Sequence, residues 1–254
     1  MTDKPIAIIT GAARGVGAAT ARTFSAAGYL PLILDIDDVG AGVAEETGGR
    51  FLRFDVSDPD AWADLERSIA ADYGRLDALV NNAGCEGRSP IETLSPAQWR
   101  RTIDVNLNGA FFGCQIALRL MAKNPSGTTG AIVNVASIAA TLSIPDDPAY
   151  TASKGGLISL TRSIAHYCGR EKLPIRCNVV SPGAIRTELL DAYIAGSPDP
   201  SATVAALNNL QPIGRLATPE NIANLIHYLC TDNADFISGA DIIIDGGATS
   251  AARL

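Results

Sequence analysis

Histidine is nearly absent from this chain, with only His166 and His227 among 254 residues. The cysteines at positions 85, 114, 168, 177 and 230 are widely spaced and include no C-x-x-C pair. No zinc-ligand spacing arises from these residues, so no metal is expected. Scattered cysteines, odd in number, read as small buried hydrophobes in a reducing compartment. Basic clusters are missing too, and the formal net charge is −7. Phosphate affinity comes mainly from Lys and Arg, so neither nucleic acid nor an anionic membrane surface is an expected partner. No apolar run is long enough to span a bilayer, and Ile6–Ile9 is too short for a signal peptide. The expected location is the cytoplasm. Hydrophobic residues make up 47% and charged residues 19%, a globular balance that argues against disorder.

What the chain does have is alternation. Short apolar runs fall at Ile6–Ile9, Leu30–Leu34, Phe51–Phe54, Ala78–Val80, Ala131–Val135, Ile175–Val180 and Ile242–Ile244. Several are apolar throughout, as parallel strands covered on both faces should be. Between them lie helix-like stretches: Gly15–Ala27, Pro59–Tyr73, Pro96–Lys123, Tyr150–Gly169 and Pro219–Thr231. Asp58-Pro59, Ser95-Pro96 and Thr218-Pro219 each set a cap before a first-turn proline. Repeated strand–helix–strand order predicts an α/β fold, a doubly wound parallel sheet in a single domain over residues 1–254. One segment breaks the rhythm. Thr187–Gln211 is mixed helix and loop, and is expected to form a substrate lid.

The first strand runs into Thr10-Gly-Ala-Ala-Arg-Gly-Val-Gly17. Glycines at 11, 15 and 17 permit a tight turn and close approach to a pyrophosphate, and the following helix points its free N–H groups at that anion. Asp35 ends the second strand, where an acidic residue should reach the adenosine ribose hydroxyls. Asp37 and Asp38 add negative charge that should repel the 2′-phosphate of NADP. Arg14 pulls the other way, as a cation able to pair with that phosphate. The carboxylate is weighted more heavily, and the expected cofactor is NAD. Asp55-Val56 and Asn81-Asn-Ala-Gly84 follow the next two strands, at the edge where open α/β sheets bind ligands.

Ser137 lies just past the fifth strand, and Tyr150-Thr-Ala-Ser-Lys154 follows. At i and i+4 on a helix, Tyr150 and Lys154 share a face. A neighbouring ammonium favours phenolate, as does the positive charge of oxidised nicotinamide, so the Tyr150 pKa should fall toward neutrality. A Y-x-x-x-K pair alone is weak. Joined to the glycine loop, the NNAG segment and the serine, it resembles the short-chain dehydrogenase/reductase family, of the single-domain type of roughly 250 residues. The resemblance runs from Thr10 to the Asp245-Gly-Gly247 turn.

The resemblance implies roles. Tyr150 is the general acid/base, Lys154 binds the nicotinamide ribose and lowers the Tyr150 pKa, and Ser137 bonds the substrate oxygen. Asn106, within Asp104-Val-Asn-Leu-Asn108, shapes a helix irregularity and holds a water in the proton path. Asn108 is read as a helix-surface polar residue. Pro182, Gly183, Ile185 and Thr187 hold the nicotinamide half of the cofactor. Gly11, Arg14, Gly15, Val16, Gly17, Asp35, Ile36, Asp55, Val56, Asn82, Ala83 and Gly84 complete the dinucleotide site. Strand order 3-2-1-4-5-6-7 and a homotetramer through the 96–123 and 150–169 helices are also implied. The expected activity is hydride transfer between NAD(H) and a secondary alcohol or ketone.

The substrate is expected over Ser137 and Tyr150, beside Cys85, Glu86 and Arg88, with Ser143, Asp146 and Asp147 also near. That polarity favours a sugar, polyol or hydroxy acid; a 3-oxoacyl or other hydrophobic ketone is the alternative. Asp146 and Asp147 have a second reading as helix-start residues. Cys85 lacks a histidine to activate it and reads as pocket lining. An epimerase or dehydratase on the same scaffold and a non-catalytic NAD sensor are the other classes left open.

Overall fold

The computed structural model describes residues 3–250. Among them, seven parallel strands form one sheet in the order β3-β2-β1-β4-β5-β6-β7. These are β1 (Ile6–Thr10), β2 (Leu30–Asp35), β3 (Arg50–Arg53), β4 (Ala78–Asn81), β5 (Gly130–Val135), β6 (Ile175–Pro182) and β7 (Asp241–Ile244). The helices are α1 (Gly15–Ala26), α2 (Gly40–Thr47), α3 (Pro59–Asp72), α4 (Pro96–Ile103), α5 (Gly109–Met121), α6 (Ala139–Leu142), α7 (Pro148–Arg170), α8 (Glu188–Ala195), α9 (Pro200–Asn209) and α10 (Pro219–Cys230).

The apolar runs are explained by two-sided burial. In β1, Ile6 and Ile8 join a core with Trp62 and Ile69 of α3, Ile116 of α5 and Ile164 of α7. Ala7 and Ile9 join the opposite core, with Phe24 of α1 and Ile222, Ile226 and Leu229 of α10. Alternate residues therefore feed different layers, and neither face can be polar. Full burial of a side chain such as Ile8 or Phe24 contributes about 1.5–3 kcal/mol.

Two features of the helices matter for the site, the first an irregularity at Asn106 of the kind the family resemblance implies. The expected helix over 96–123 is interrupted by a π-helical turn at Asp104–Asn108, between α4 and α5. Buried Asn106 sits in that turn and is bonded to residues outside its own helix, which makes the local widening worthwhile. The expected helix from Tyr150 starts earlier, at Pro148, because Asp147 is its cap and accepts the Tyr150 N–H at 3.2 Å. The short helices α2 and α6 were not anticipated. Neither has a side-chain cap hydrogen bond, and α6 is only 4 residues long.

β1 lies between β2 and β4, so the chain leaves it in opposite directions on either side. A crevice opens at such a switch point, beyond the carboxyl ends of the strands.

Candidate active site

Three adjoining cavities occupy that crevice. The first, about 440 Å³, lies beyond β1, β2 and β3 and is lined by Gly11, Arg14, Asp35, Ile36, Asp55, Val56, Asn82, Ala83 and Gly84, among others. The second, about 290 Å³, shares Asn82, Gly84 and Cys85 with the first and adds Val16, Ser137, Tyr150, Lys154, Pro182, Gly183 and Ile185. The third, about 750 Å³, shares Ser137, Tyr150, Gly183 and Ile185 with the second and adds Thr187.

The glycine loop is shaped for an extended anionic ligand. Gly11 and Gly15 have φ of 62° and 53°, which favours residues without a Cβ. No side chain caps the α1 N-terminus, so its first-turn N–H groups stay open to an anion. Asn82 pins the loop from below, donating from Nδ2 to the carbonyls of Thr10 and Gly11, each at 3.0 Å. The Thr10 hydroxyl accepts the N–H groups of Asn82 and Ala83, also at 3.0 Å. Gly17 is the tightest point: a Cβ there would lie 2.1 Å from Gly11 O and 2.8 Å from Ala12 Cα. Gly17→Ala is therefore expected to cost at least about 1–3 kcal/mol of stability and to weaken dinucleotide binding severely. Thermal melts with and without NADH check both. The cradle and the two joined cavities fit a dinucleotide.

At the adenosine end, Asp35 is fixed by two backbone donors. Its Oδ2 accepts Ala13 N–H at 2.9 Å and its Oδ1 accepts Asp37 N–H at 3.0 Å. Arg14 is not the free cation of the sequence reading, since its Nη1 lies 2.6 Å from Asp37 Oδ2. The Asp37 carboxyl is held below its usual range by the Val39 N–H and then by Arg14.

At the catalytic end, α7 and the π-turn are cross-linked. Asn106 Oδ1 accepts Cys85 N–H at 2.8 Å, and Nδ2 donates to Cys85 O at 2.9 Å and to Ser153 Oγ at 3.0 Å. Ser153 in turn donates to Tyr150 O at 2.7 Å. Both Nδ2 hydrogens of Asn106, and its Oδ1 once, are thus engaged with protein atoms. Lys154 is buried and donates from Nζ to Val135 O at 2.7 Å, with Nζ 5.5 Å from the centre of the Tyr150 ring. Asn108 bonds Asp104 across one turn, as a local polar residue.

The Tyr150 pKa departs from expectation. Burial pushes it up to about 12; the hydrogen bond with Ser137 pulls down, and the charges of Glu86 and Asp147 add to the rise. Burial lowers the Lys154 pKa to about 8. Desolvation of the phenolate outweighs the Ser137 hydrogen bond, and the Lys154 ammonium is not among the influences on the shift. In the free chain, Tyr150 is a neutral phenol.

The third cavity is bounded by α6, α8 and α9. Its walls include Ile138, Leu142, Ile144, Leu190 and Leu207, with Glu86 and Arg88 as the charged residues among its described lining. Ser143, Asp146 and Asp147 do not line it. Asp147 is buried under the loop, where it accepts the N–H groups of Gly87 and Tyr150. Its helix-start reading is the one the structure bears out. Cys85 lines the first two cavities rather than the third, and burial raises its thiol pKa.

A family model described as "Enoyl-(Acyl carrier protein) reductase" matches residues 11–249. The chain is 43% identical to cis-4-hydroxycyclohexanecarboxylate dehydrogenase of Sinomonas cyclohexanicum, over 96% of each chain. The chain belongs to the short-chain dehydrogenase/reductase family. A second relative is the NADP-dependent (R)-specific alcohol dehydrogenase of Lentilactobacillus kefiri, 33% identical over 98% of this chain and 100% of that one. Ligand-free aldohexose dehydrogenase of Thermoplasma acidophilum superposes with a TM-score of 0.90 at 31% identity, covering 99% of this chain and 96% of that one. As a short-chain dehydrogenase/reductase the protein is an oxidoreductase that interconverts alcohols and ketones with a nicotinamide cofactor.

Within this short-chain dehydrogenase, sequence reasoning missed Ser153, Thr10 and the polar layer beneath the site. Asn81 Nδ2 donates to Asn134 Oδ1 at 2.8 Å, and Asn134 Nδ2 to Thr161 Oγ1 at 2.8 Å. These bonds join β4, β5 and α7 inside the core. A polar residue in an otherwise apolar strand run was the available signal, as with Asn134 in Gly130–Val135.

Proposed function

We propose that this protein is an NAD-dependent dehydrogenase of hydroxylated secondary alcohols, with Tyr150 as its proton carrier. The observation that carries the reading is the placement of Ser137 and Tyr150 where the second cavity meets the third, with Lys154 beside them in the second. Bound NAD would supply the hydride acceptor in oxidation. Ser137 would donate a hydrogen bond to the substrate oxygen and stabilise charge developing there. Tyr150 would take the hydroxyl proton in oxidation and return it in reduction. Lys154 spends one N–H on Val135 O and keeps the others for the nicotinamide ribose, so its charge stands beside the phenol. Asn106 would hold the π-turn and, through Ser153, the backbone of Tyr150.

On the cofactor, the fixed carboxylate of Asp35 and the paired state of Arg14 support NAD. For the substrate, hydroxy acids, polyols and sugars are the first classes to screen, with 4-hydroxycyclohexanecarboxylate leading. Its dehydrogenase is the relative described above. NAD reduction across such a panel tests the reading, and tight NADH binding without turnover of any alcohol would overturn it. A homotetramer belongs to the same proposal. Trp99, Phe111 and Tyr167 are exposed on α4, α5 and α7, the helices expected to meet their two-fold mates. A monomer in sedimentation would remove that part.

The pH dependence follows from the two shifted groups. With a Tyr150 pKa of about 12, the phenolate fraction rises tenfold per pH unit through the neutral range. Oxidation, which needs phenolate, should therefore accelerate with pH from about 6 upward. Reduction, which needs phenol, should stay flat there. Near pH 8 Lys154 loses its proton and its support for the phenolate, so the oxidation curve should bend toward a plateau. A kcat/KM profile for oxidation that is flat from pH 6 to 8 would remove Tyr150 as the titrating base.

A further inference from the structure

The walls of the third cavity are divided in their chemistry. Ser137 and Tyr150 are the hydroxyl-handling groups, aliphatic side chains such as Ile138, Leu142 and Leu207 form the body, and Glu86 and Arg88 bring charge. The segment carrying those charges is rigidly anchored. Cys85 is held at both its N–H and its carbonyl by Asn106. Gly87 N–H is held at 2.9 Å by the buried carboxylate of Asp147. A Cβ at Gly87 would stand 3.1 Å from Asp147 Oδ1 and 3.3 Å from Thr102 Oγ1, so the chain is pressed against its anchor. Arg88 then takes a φ of 44°, in the left-handed region that side chains disfavour. Such strain persists where the surroundings over-determine it, and ligand clamps are a common place for it.

The guanidinium itself is only partly used. Glu86 takes the Nε hydrogen, and among the described residues no hydrogen bond to either terminal nitrogen accompanies it. Glu86 therefore orients the planar fork without covering its outer edge, which suits a carboxylate. We propose that Arg88 is the carboxylate-binding residue of the substrate site, and that the substrate is a hydroxy acid with an apolar body between its two polar ends. This rests on the alcohol-dehydrogenase reading above. A polyol would leave hydroxyls unpaired against the aliphatic walls, and a wholly apolar ketone would give the terminal nitrogens of Arg88 no acceptor.

The test compares kcat/KM with NAD for 4-hydroxycyclohexanecarboxylate and for its neutral primary amide. The wild type should favour the acid. Arg88→Leu should cut the acid-to-amide ratio about tenfold or more, and Arg88→Lys should give an intermediate ratio, since it keeps the charge and loses the fork. An unchanged ratio in Arg88→Leu would overturn the assignment. So would a wild type that oxidises the amide and cyclohexanol but not the acid, and in that case the dehydrogenase reading stands. Loss of turnover with every alcohol would instead sink that reading, and this inference with it.

Discussion

Tyr150→Phe is expected to lower kcat by about a thousandfold or more while leaving NADH affinity nearly intact. The substitution deletes one hydroxyl from a side chain whose ring packing is otherwise conserved. In the free chain a hydrogen bond with Ser137 lowers the pKa of that hydroxyl, and both residues line the second and third cavities. Folding should change little, because losing one hydrogen bond at the edge of an open cavity costs about 0.5–1.5 kcal/mol. The proton, however, loses the hydroxyl that stands with Ser137 where the second and third cavities meet. Lys154 faces Val135 O, and the Cys85 thiol is pushed up by burial. The loss should appear in kcat rather than in cofactor binding, since the phenol matters most when charge develops on the substrate oxygen. Fluorescence titration of NADH with steady-state rates in both directions checks it. A variant retaining near-normal kcat would take the phenol out of the mechanism.

The legibility of this site in the sequence followed from the kind of constraint each residue meets. Gly11 and Gly15 were readable because positive φ leaves few alternatives. Tyr150 and Lys154 were readable because helical spacing puts them on one face whatever surrounds them. The strand order was expected from family resemblance, and the apolar strand runs agreed with it. What could not be read depended on contacts distant along the chain. In sequence Asp147 reads equally as a helix-start residue and as pocket lining; the fold decides by bringing Gly87 onto its carboxylate, 60 residues away along the chain. The direction of the Tyr150 shift turned on how deeply the phenol is enclosed and on the carboxylates of Glu86 and Asp147, which reach it from distant parts of the fold and its helix start. The π-turn was expected only by resemblance; its local sequence reads as ordinary helix. Arg14 looked free because its partner, Asp37, lies on another strand's end.

The second large effect concerns the cofactor: kcat/KM for NAD should exceed that for NADP by about a hundredfold or more. Two unit charges about 4 Å apart interact by about 4 kcal/mol at an effective dielectric of about 20, which is roughly a thousandfold before screening. Asp35 cannot swing away from an incoming 2′-phosphate, because Ala13 N–H and Asp37 N–H hold both its oxygens. The cations that would offset it are committed. Arg14 is paired with Asp37 at 2.6 Å and Arg53 with Asp38 at 3.1 Å. Both pairs are exposed, so their strength is modest, and their effect on selectivity is to keep local charge near balance. The cavity they line holds Asp35, Asp37 and Asp38 against Arg14 and Arg53, a net of −1 (two positive, three negative). Asp37→Asn should therefore raise kcat/KM for NADP several-fold by releasing Arg14, with NAD still preferred. Asp35→Ser should narrow the preference further by removing the fixed carboxylate. It should also weaken NAD, because the ribose loses its acceptor and the glycine loop loses its tie to Ala13. Parallel titrations of both cofactors on the three proteins separate these terms. A wild type that prefers NADP would mean that Arg14 abandons Asp37 for the phosphate, and the ranking of Asp35 above Arg14 would be reversed.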